Sequence, residues 1–301
     1  MAILVDESKR IIIQGITGRE AGAAAKDSLD YGAKVVAGVT PGKGGTEVYG
    51  VPVFDTVRAA LAAHPADVSV IAVPAPAARE AALEALETGL PLVVLLTERI
   101  PRRDVVTVLA RARERGARVV GPNCLGVISP GRTRAGIVGG RAEDIGKAYR
   151  RGPVGVMSRS GGMTTEIANL LTQHGIGQST CVSVGGDPIV GSSFVDLMPL
   201  FERDQETRAV VIFGEPGGGA EEALADYVAT RRPRLPVVAF IAGRFADEMP
   251  GVRFGHAGTI VEGGRGSTRG KIAALRNAGV LVAEDFSEIV NLVRENLGGA
   301  V

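Results

Sequence analysis

Two side chains in the second half of this 301-residue sequence have the types and surroundings of a nucleophile and the carboxylate that would orient it. His256 sits in Phe254-Gly255-His256-Ala257-Gly258, among residues with almost no side chain, which leaves its ring open to a large charged group. Glu215, in Gly214-Glu215-Pro216-Gly217-Gly218, directly follows the apolar run 209–213. A carboxylate on one imidazole nitrogen fixes the tautomer and steadies positive charge on the ring, which suits nucleophilic catalysis by the other nitrogen. An acidic residue after a strand also serves as a helix cap or turn residue, so this role for Glu215 stands beside a structural one. The remaining histidines read as structural or solvated: His64 precedes Pro65 in a loop, and His174 closes a helix before Gly175. No His, Cys or carboxylate cluster surrounds His256 at metal-ligand spacing, so no metal site is expected.

A phosphorylated histidine needs a place for its charge. Ser158-Arg159-Ser160-Gly161-Gly162-Met163-Thr164-Thr165-Glu166 follows the apolar run 154–157 and reads as a helix start, whose free amides and dipole favour an anion. Arg159 is equally suited to pairing with a carboxylate, and an ordinary capped helix is the plain alternative.

In the first half, Gly15-Ile16-Thr17-Gly18-Arg19-Glu20 follows the run 11–14, and the amides of such a turn suit a phosphate. Glycine-rich turns also serve packing alone. A nicotinamide site would place Asp or Glu some 20 residues further on, against the ribose. The corresponding stretch is Val39-Thr40-Pro41-Gly42-Lys43-Gly44-Gly45, with no carboxylate. Lys43 on a glycine loop suits a phosphate instead, the alternative being a solvated loop lysine. This argues against a dehydrogenase and for a phosphorylated adenosine such as CoA. Later apolar runs open into Val73-Pro74-Ala75, Thr97-Glu98 and Gly121-Pro122-Asn123-Cys124.

The elements that must position these residues follow a βαβ rhythm. Strand candidates at 11–14, 34–39, 68–73, 92–96 and 118–120 alternate with helical patterns such as 77–88 and 102–115. The rhythm resumes with strands at 154–157, 181–184, 209–213 and 237–241 and helices near 164–174, 221–230 and 271–278. The expected fold is α/β: a Rossmann-like domain over residues 1–138, a polar linker at 139–152, and a flavodoxin-like doubly wound α/β domain over 153–301. Ligands then lie beyond the carboxyl ends of the strands, where all the candidates above sit.

Lys and Arg number 34 against 33 Asp and Glu, a net charge of +1, so neither nucleic acid nor an anionic membrane is an expected partner. Two cysteines are too few for a disulfide framework and fit a reducing compartment. The start of the chain does not resemble a secretory signal, and no apolar run approaches a membrane span. The expectation is a soluble, cytoplasmic protein whose mature chain begins at Met1.

The segments QGITG, VTPGKGG, VPAP, TERIP, GPNC, SRSG, GGDP, GEPGG and GHAG occur in the order found in the alpha subunit of succinyl-CoA synthetase, which this chain resembles along essentially its whole length. The resemblance implies a CoA-binding domain followed by a ligase domain. It implies that Thr17, Gly18, Lys43, Val73, Pro74, Thr97 and Glu98 contact CoA, with Gly15, Arg19, Glu20, Ala75, Asn123 and Cys124 on the same edge. His256 would be phosphorylated with Glu215 beside it, and Ser160, Gly161, Gly162 and Thr165 would face phosphate or substrate. The implied chemistry is reversible: a nucleoside triphosphate charges the histidine, phosphohistidine gives its phosphoryl group to the acid as an acyl phosphate, and the CoA thiolate captures the acyl group with release of phosphate. No ATP-binding glycine motif or carboxylate pair for magnesium stands out, so a beta (ATP-grasp) subunit is expected to supply ATP or GTP and Mg2+.

The resemblance departs from pattern at the substrate-side helix. The family reads SRSGTLTYE where this chain has SRSGGMTTE, which puts Thr165 in place of a substrate-contacting tyrosine. The GGM triplet and Phe254 are closer to ATP-citrate lyase and citryl-CoA synthetase, and a smaller hydroxyl-bearing residue leaves room for a bulkier acid. Leu125 replaces the proline of the family's GPNCPG and is expected to alter loop stiffness. Three readings follow: a subunit acting on succinate, the same machinery acting on citrate, malate or another dicarboxylate, and a non-catalytic CoA-sensing module. A sensor would need neither GHAG nor GEPGG.

Overall fold

The computed structural model describes residues 2–245, 256 and 266–297. Short apolar runs form two sheets whose central strands are buried on both faces, as parallel sheets between helical layers require. The first sheet contains β1 (Arg10–Gln14), β2 (Lys34–Val39), β3 (Glu47–Val48), β4 (Val51–Phe54), β5 (Val68–Ile71), β6 (Leu92–Leu95) and β7 (Arg118–Val120), in the order β3-β4-β2-β1-β5-β6-β7. All its pairings are parallel except the antiparallel edge of β3 on β4. Helices α1 (Arg19–Asp30), α2 (Val57–Ala63), α3 (Ala75–Glu87) and α4 (Arg102–Glu114) cross over between strands. Strand order reverses about β1, so a switch point lies between β1 and β5 at their carboxyl ends.

The second sheet holds β8 (Gly126–Ser129), β9 (Thr133–Gly136), β10 (Arg151–Ser158), β11 (Gln178–Ser183), β12 (Ala209–Gly214), β13 (Val237–Ile241) and β14 (Leu281–Val282), in the order β14-β13-β12-β10-β11-β8-β9. Its helices are α5 (Ala142–Ala148), α6 (Gly161–Gln173), α7 (Phe194–Arg203), α8 (Ala220–Arg231), α9 (Thr268–Asn277) and α10 (Ile289–Asn296). Here the switch point lies between β10 and β12.

Two boundaries differ from the sequence expectation. Residues 126–136, expected in the first domain, form an antiparallel hairpin that pairs through β8 with β11 of the second sheet. Alternation alone does not say which sheet a hairpin joins, because that is decided by a tertiary pairing. Residues 139–152, expected as a linker, contain α5, which packs on α6. Their charges lie outward, while Ile145 and Tyr149, one helical turn apart, are buried with Ile167 and Leu171.

The halves share one apolar core, in which Ile13, Val70 and Val120 of the first sheet lie in the same cluster as Val127, Val182 and Phe194. The N-terminal segment stitches them further: Ile3 N–H donates to Thr180 Oγ1 at 3.2 Å, and Ser129 Oγ donates to the Val5 carbonyl at 2.7 Å. Arg134 is fully buried, and its guanidinium bonds Ser28 Oγ at 3.2 Å and the carbonyls of Val138 and Gly140. No helix among the described residues is long and apolar enough to cross a membrane.

Candidate active site

The glycine turn after β1 opens onto the first switch point. Gly15 has φ of +87°, a region costly for other residues, and an added Cβ would stand 2.5 Å from the Ala72 carbonyl oxygen. The turn delivers Gly18 as the N-cap of α1 without a side-chain capping bond, so the first-turn amides face outward beside the exposed Thr17, Arg19 and Glu20. A cavity of about 730 Å³ on one side is lined by Gly15, Thr17, Gly18, Thr40, Val73 and Pro74 among others. A recess of about 680 Å³ on the other side is lined by Gly18, Arg19, Glu20, Val73, Pro74, Ala75, Thr97 and Glu98. Sharing Gly18, Ala72, Val73 and Pro74, the two form a groove with free amides at its centre and largely apolar walls. That combination fits a ligand with phosphates and an apolar arm.

Gly15→Ala should therefore weaken CoA binding and also lower the unfolding midpoint, since left-handed backbone alone costs an alanine roughly 1–2 kcal/mol. Calorimetric CoA titration and thermal melts of the same preparation separate the two effects.

Lys43 sits exposed on the loop after β2, next to the cavity-lining Thr40 and Pro41, and makes no ion pair among the described residues. The structure does not bring Asn123 and Cys124 into either recess. Cys124 is buried, its thiol within 3.4 Å of the Leu95 carbonyl, and burial pushes its pKa up to about 12, so it is a quiet packing group. Asn123 adopts φ of +55° and turns its side-chain amide to Asp187 Oδ1 at 3.0 Å, away from the groove. A turn residue and its side chain leave a strand end in different directions, and sequence position specifies only the first.

At the second switch point, Glu215 follows β12 and is buried. Its carboxylate accepts from His256 Nδ1, with Oε1 at 3.0 Å and Oε2 at 2.8 Å. This leaves Nε2 as the nitrogen without that carboxylate partner. Arg159, directly after β10, places Nε 3.5 Å from Glu215 Oε1 and donates through Nη1 to the Gly217 carbonyl at 3.1 Å. Of the two readings of Arg159, the carboxylate pairing is the one found.

The hydrogen bond to Glu215 holds the His256 pKa above its ordinary value, against burial and the Arg159 charge. Because the folded pKa is raised, the stability from this pair is full below the unfolded pKa of about 6.5 and is lost as pH rises through the folded value.

Beneath this pair lies a buried support. Glu215 N–H donates to Glu221 Oε1 at 3.2 Å, and Lys271, fully buried, bonds Glu221 Oε2 and the Gly217 carbonyl, the latter at 2.7 Å. The sequence pattern gave no signal for Lys271, which lies on α9, 50 residues from Glu221.

Ser160 is the N-cap of α6 and accepts from Met163 N–H. An added Cβ on Gly161 would run into the Leu125 side chain, so the residue replacing a proline fills space against the helix start rather than only altering loop stiffness. Gly162 faces open space. Thr165, expected to face substrate, lies 2.9 Å from the buried Tyr149 hydroxyl, between α5 and α6. Phe254, Gly255, Ala257 and Gly258 lie outside the described residues. Sequence reasoning gave no role to Gly186 and Asp187, although it noted GGDP; an added Cβ on Gly186 would stand 2.5 Å from His256 Cδ2.

Comparison with known proteins gives two family matches: a CoA binding domain over residues 6–99 and a CoA-ligase domain over residues 157–281. The chain is 51% identical over 297 residues to succinate–CoA ligase [ADP-forming] subunit alpha 1 of Archaeoglobus fulgidus, covering 99% of each chain. It is 46% identical to the corresponding alpha subunit of Aquifex aeolicus, covering 99% of this chain and 95% of that one. Among solved structures, ATP citrate lyase of Methanosaeta concilii in complex with (3S)-citryl-CoA superposes with a TM-score of 0.91 at 28% identity over 98% of this chain. This chain spans 50% of the length of that citrate lyase.

Proposed function

The chain belongs to the alpha-subunit family of ADP-forming succinate–CoA ligases, and on that premise we propose that it forms succinyl-CoA from succinate and CoA through a phosphohistidine at His256. The observation that carries the proposal is the His256–Glu215 pair, bonded at 2.8 and 3.0 Å at the switch point of the second sheet.

Glu215 holds the Nδ1 proton, so the lone pair for in-line attack on a phosphoryl group, that of the nucleotide in this direction and of an acyl phosphate in the reverse one, is on Nε2. Its carboxylate also offsets positive charge on the ring as the phosphoryl group arrives. Arg159 keeps Glu215 in place and balances its charge. In the first half, the α1 amides and Thr17 and Gly18 would hold the CoA phosphates, and Val73, Pro74, Thr97 and Glu98 would line the path of its arm. Lys43 would reach an outer phosphate from its loop, and Ser160, Gly161 and Gly162 would border the phosphoryl position at the start of α6. Nucleotide and Mg2+ would be supplied by a beta partner, whose contribution is to charge and discharge the histidine.

A second reading, the same chemistry on citrate or another bulkier acid, is favoured by the open space at Gly162 and by Thr165 facing Tyr149.

Co-expression with the cognate beta subunit, followed by CoA-dependent ADP formation on succinate, malate, citrate, itaconate and glutarate, tests both readings. Turnover on succinate well above the rest supports the first, and preference for citrate or malate supports the second. No acid-labile phosphate with any acid would sink both.

A further inference from the structure

The groove of the first half and the histidine of the second are joined by a short run of hydrogen bonds. Thr97 Oγ1, on the groove wall, donates to the Val73 carbonyl at 2.7 Å, and the Thr97 carbonyl accepts from Asn123 N–H at 3.0 Å. Asn123 then reaches into the second half twice. Its side-chain amide donates to Asp187 Oδ1 at 3.0 Å, and its carbonyl accepts from Gly186 N–H at 3.1 Å. Gly186 is the residue with no room for a Cβ against the His256 ring, and the adjacent Gly185, at φ of +117°, packs on the Pro122 carbonyl.

We propose that Asn123 and Asp187 form a positioning link that fixes Gly186 against His256 and ties the ring's placement to the CoA groove. Resting on the proposed phosphohistidine chemistry, the inference gives Asn123 a different task from CoA contact, and gives Asp187 one where the sequence suggested none. The left-handed backbone of Asn123 lets one residue present its carbonyl to Gly186 and its amide to Asp187, a conformation Asn tolerates better than most. A bare Cα at position 186 allows the loop to approach the imidazole face closely, so a shift of the loop becomes a shift of the ring. Misplacement of a nucleophile by about 1 Å costs on the order of 100-fold in rate.

The test uses the complex with the cognate beta subunit. Asn123→Asp sets two carboxylates against each other and should slow phosphorylation of His256 at saturating CoA by at least about tenfold, while CoA affinity stays within about twofold of wild type. The reciprocal variant, Asn123→Asp with Asp187→Asn, restores one N–H···O bond with donor and acceptor exchanged. It should recover the rate to within about threefold, a rescue not expected from general loss of packing.

The chain has only three histidines, so the His256 ring signals can be assigned in histidine-labelled protein by comparison with a His256 variant. CoA should move those signals in wild type and in the reciprocal variant, and leave them unmoved in Asn123→Asp although CoA binds. Wild-type rates and signals in Asn123→Asp would overturn the link. So would a defect expressed only as weaker CoA binding, which would make Asn123 a direct CoA contact. If wild type takes up no phosphate, the ligase reading fails, and the ring signals still decide the link by themselves.

Discussion

Replacement of His256 by glutamine should abolish acid-labile phosphorylation of this chain, and replacement of Glu215 by glutamine should slow it by roughly 10²- to 10⁴-fold. The difference follows from the geometry. Removing the ring removes the nucleophile, whereas removing the charge at Glu215 leaves a neutral acceptor that holds the proton weakly and does not stabilise the cationic ring. The pH profile separates orientation from charge. With Glu215 in place the His256 pKa is raised, so the neutral, reactive ring accumulates only as pH climbs through a value above the ordinary one. In Glu215→Gln the largest cause of that elevation is gone while burial still opposes protonation, so the midpoint should move to lower pH. Rapid-quench phosphorylation from the beta subunit at a series of pH values measures both the rate and the midpoint. A Glu215→Gln profile with unchanged midpoint and near-normal rate would remove Glu215 from the chemistry.

The largest stability effect is expected at Lys271. Lys271 and Glu221 are both fully buried and bonded to each other, and Lys271 also holds the Gly217 carbonyl. Lys271→Met would leave Glu221 as an uncompensated buried charge, a loss of roughly 3–5 kcal/mol. Adding Glu221→Leu removes that charge, so the double variant should recover most of the loss in denaturant melts. Activity should not recover with it. The Gly217 carbonyl loses the Lys271 ammonium in both variants and the Glu215 N–H loses Glu221 in the double one, so the loop carrying Glu215 loosens beneath the histidine. Equal destabilisation in the single and double variants would show that packing, not the stranded carboxylate, sets the cost.

The strands and glycine turns that carry the site were legible because their signals are local. Apolar runs such as 92–96 and 209–213 have no reading other than buried strands once helices are recognised between them. The Glu215–His256 pairing was legible from residue type, since an imidazole among glycines and a carboxylate after a strand suggest few joint tasks. What stayed hidden was tertiary. Asn123 and Asp187 are 64 residues apart, and Lys271 looks in sequence like any helix-start lysine. α7 has no counterpart in the sequence expectation, although Phe194, Leu197, Met198 and Phe201 recur at helical spacing and are all buried. Thr165 illustrates the opposite limit: matched to a family tyrosine by position, it bonds Tyr149 at the end of α5, in a stretch the sequence expectation read as linker.

The β8–β9 hairpin also governs how this polypeptide can be divided. A fission at 138/139 would send away with the N-terminal fragment two strands that belong to the other sheet, leaving β11 with a bare edge and Arg134 severed from the Gly140 carbonyl. Transplanting the N-terminal half from one relative to another would have to leave the hairpin with the recipient. The seam would then fall at Gly121–Leu125, the loop through which Asn123 meets Gly186 beside His256. Chimeras joined there would inherit their histidine alignment from the match of that one loop, however well each half folds.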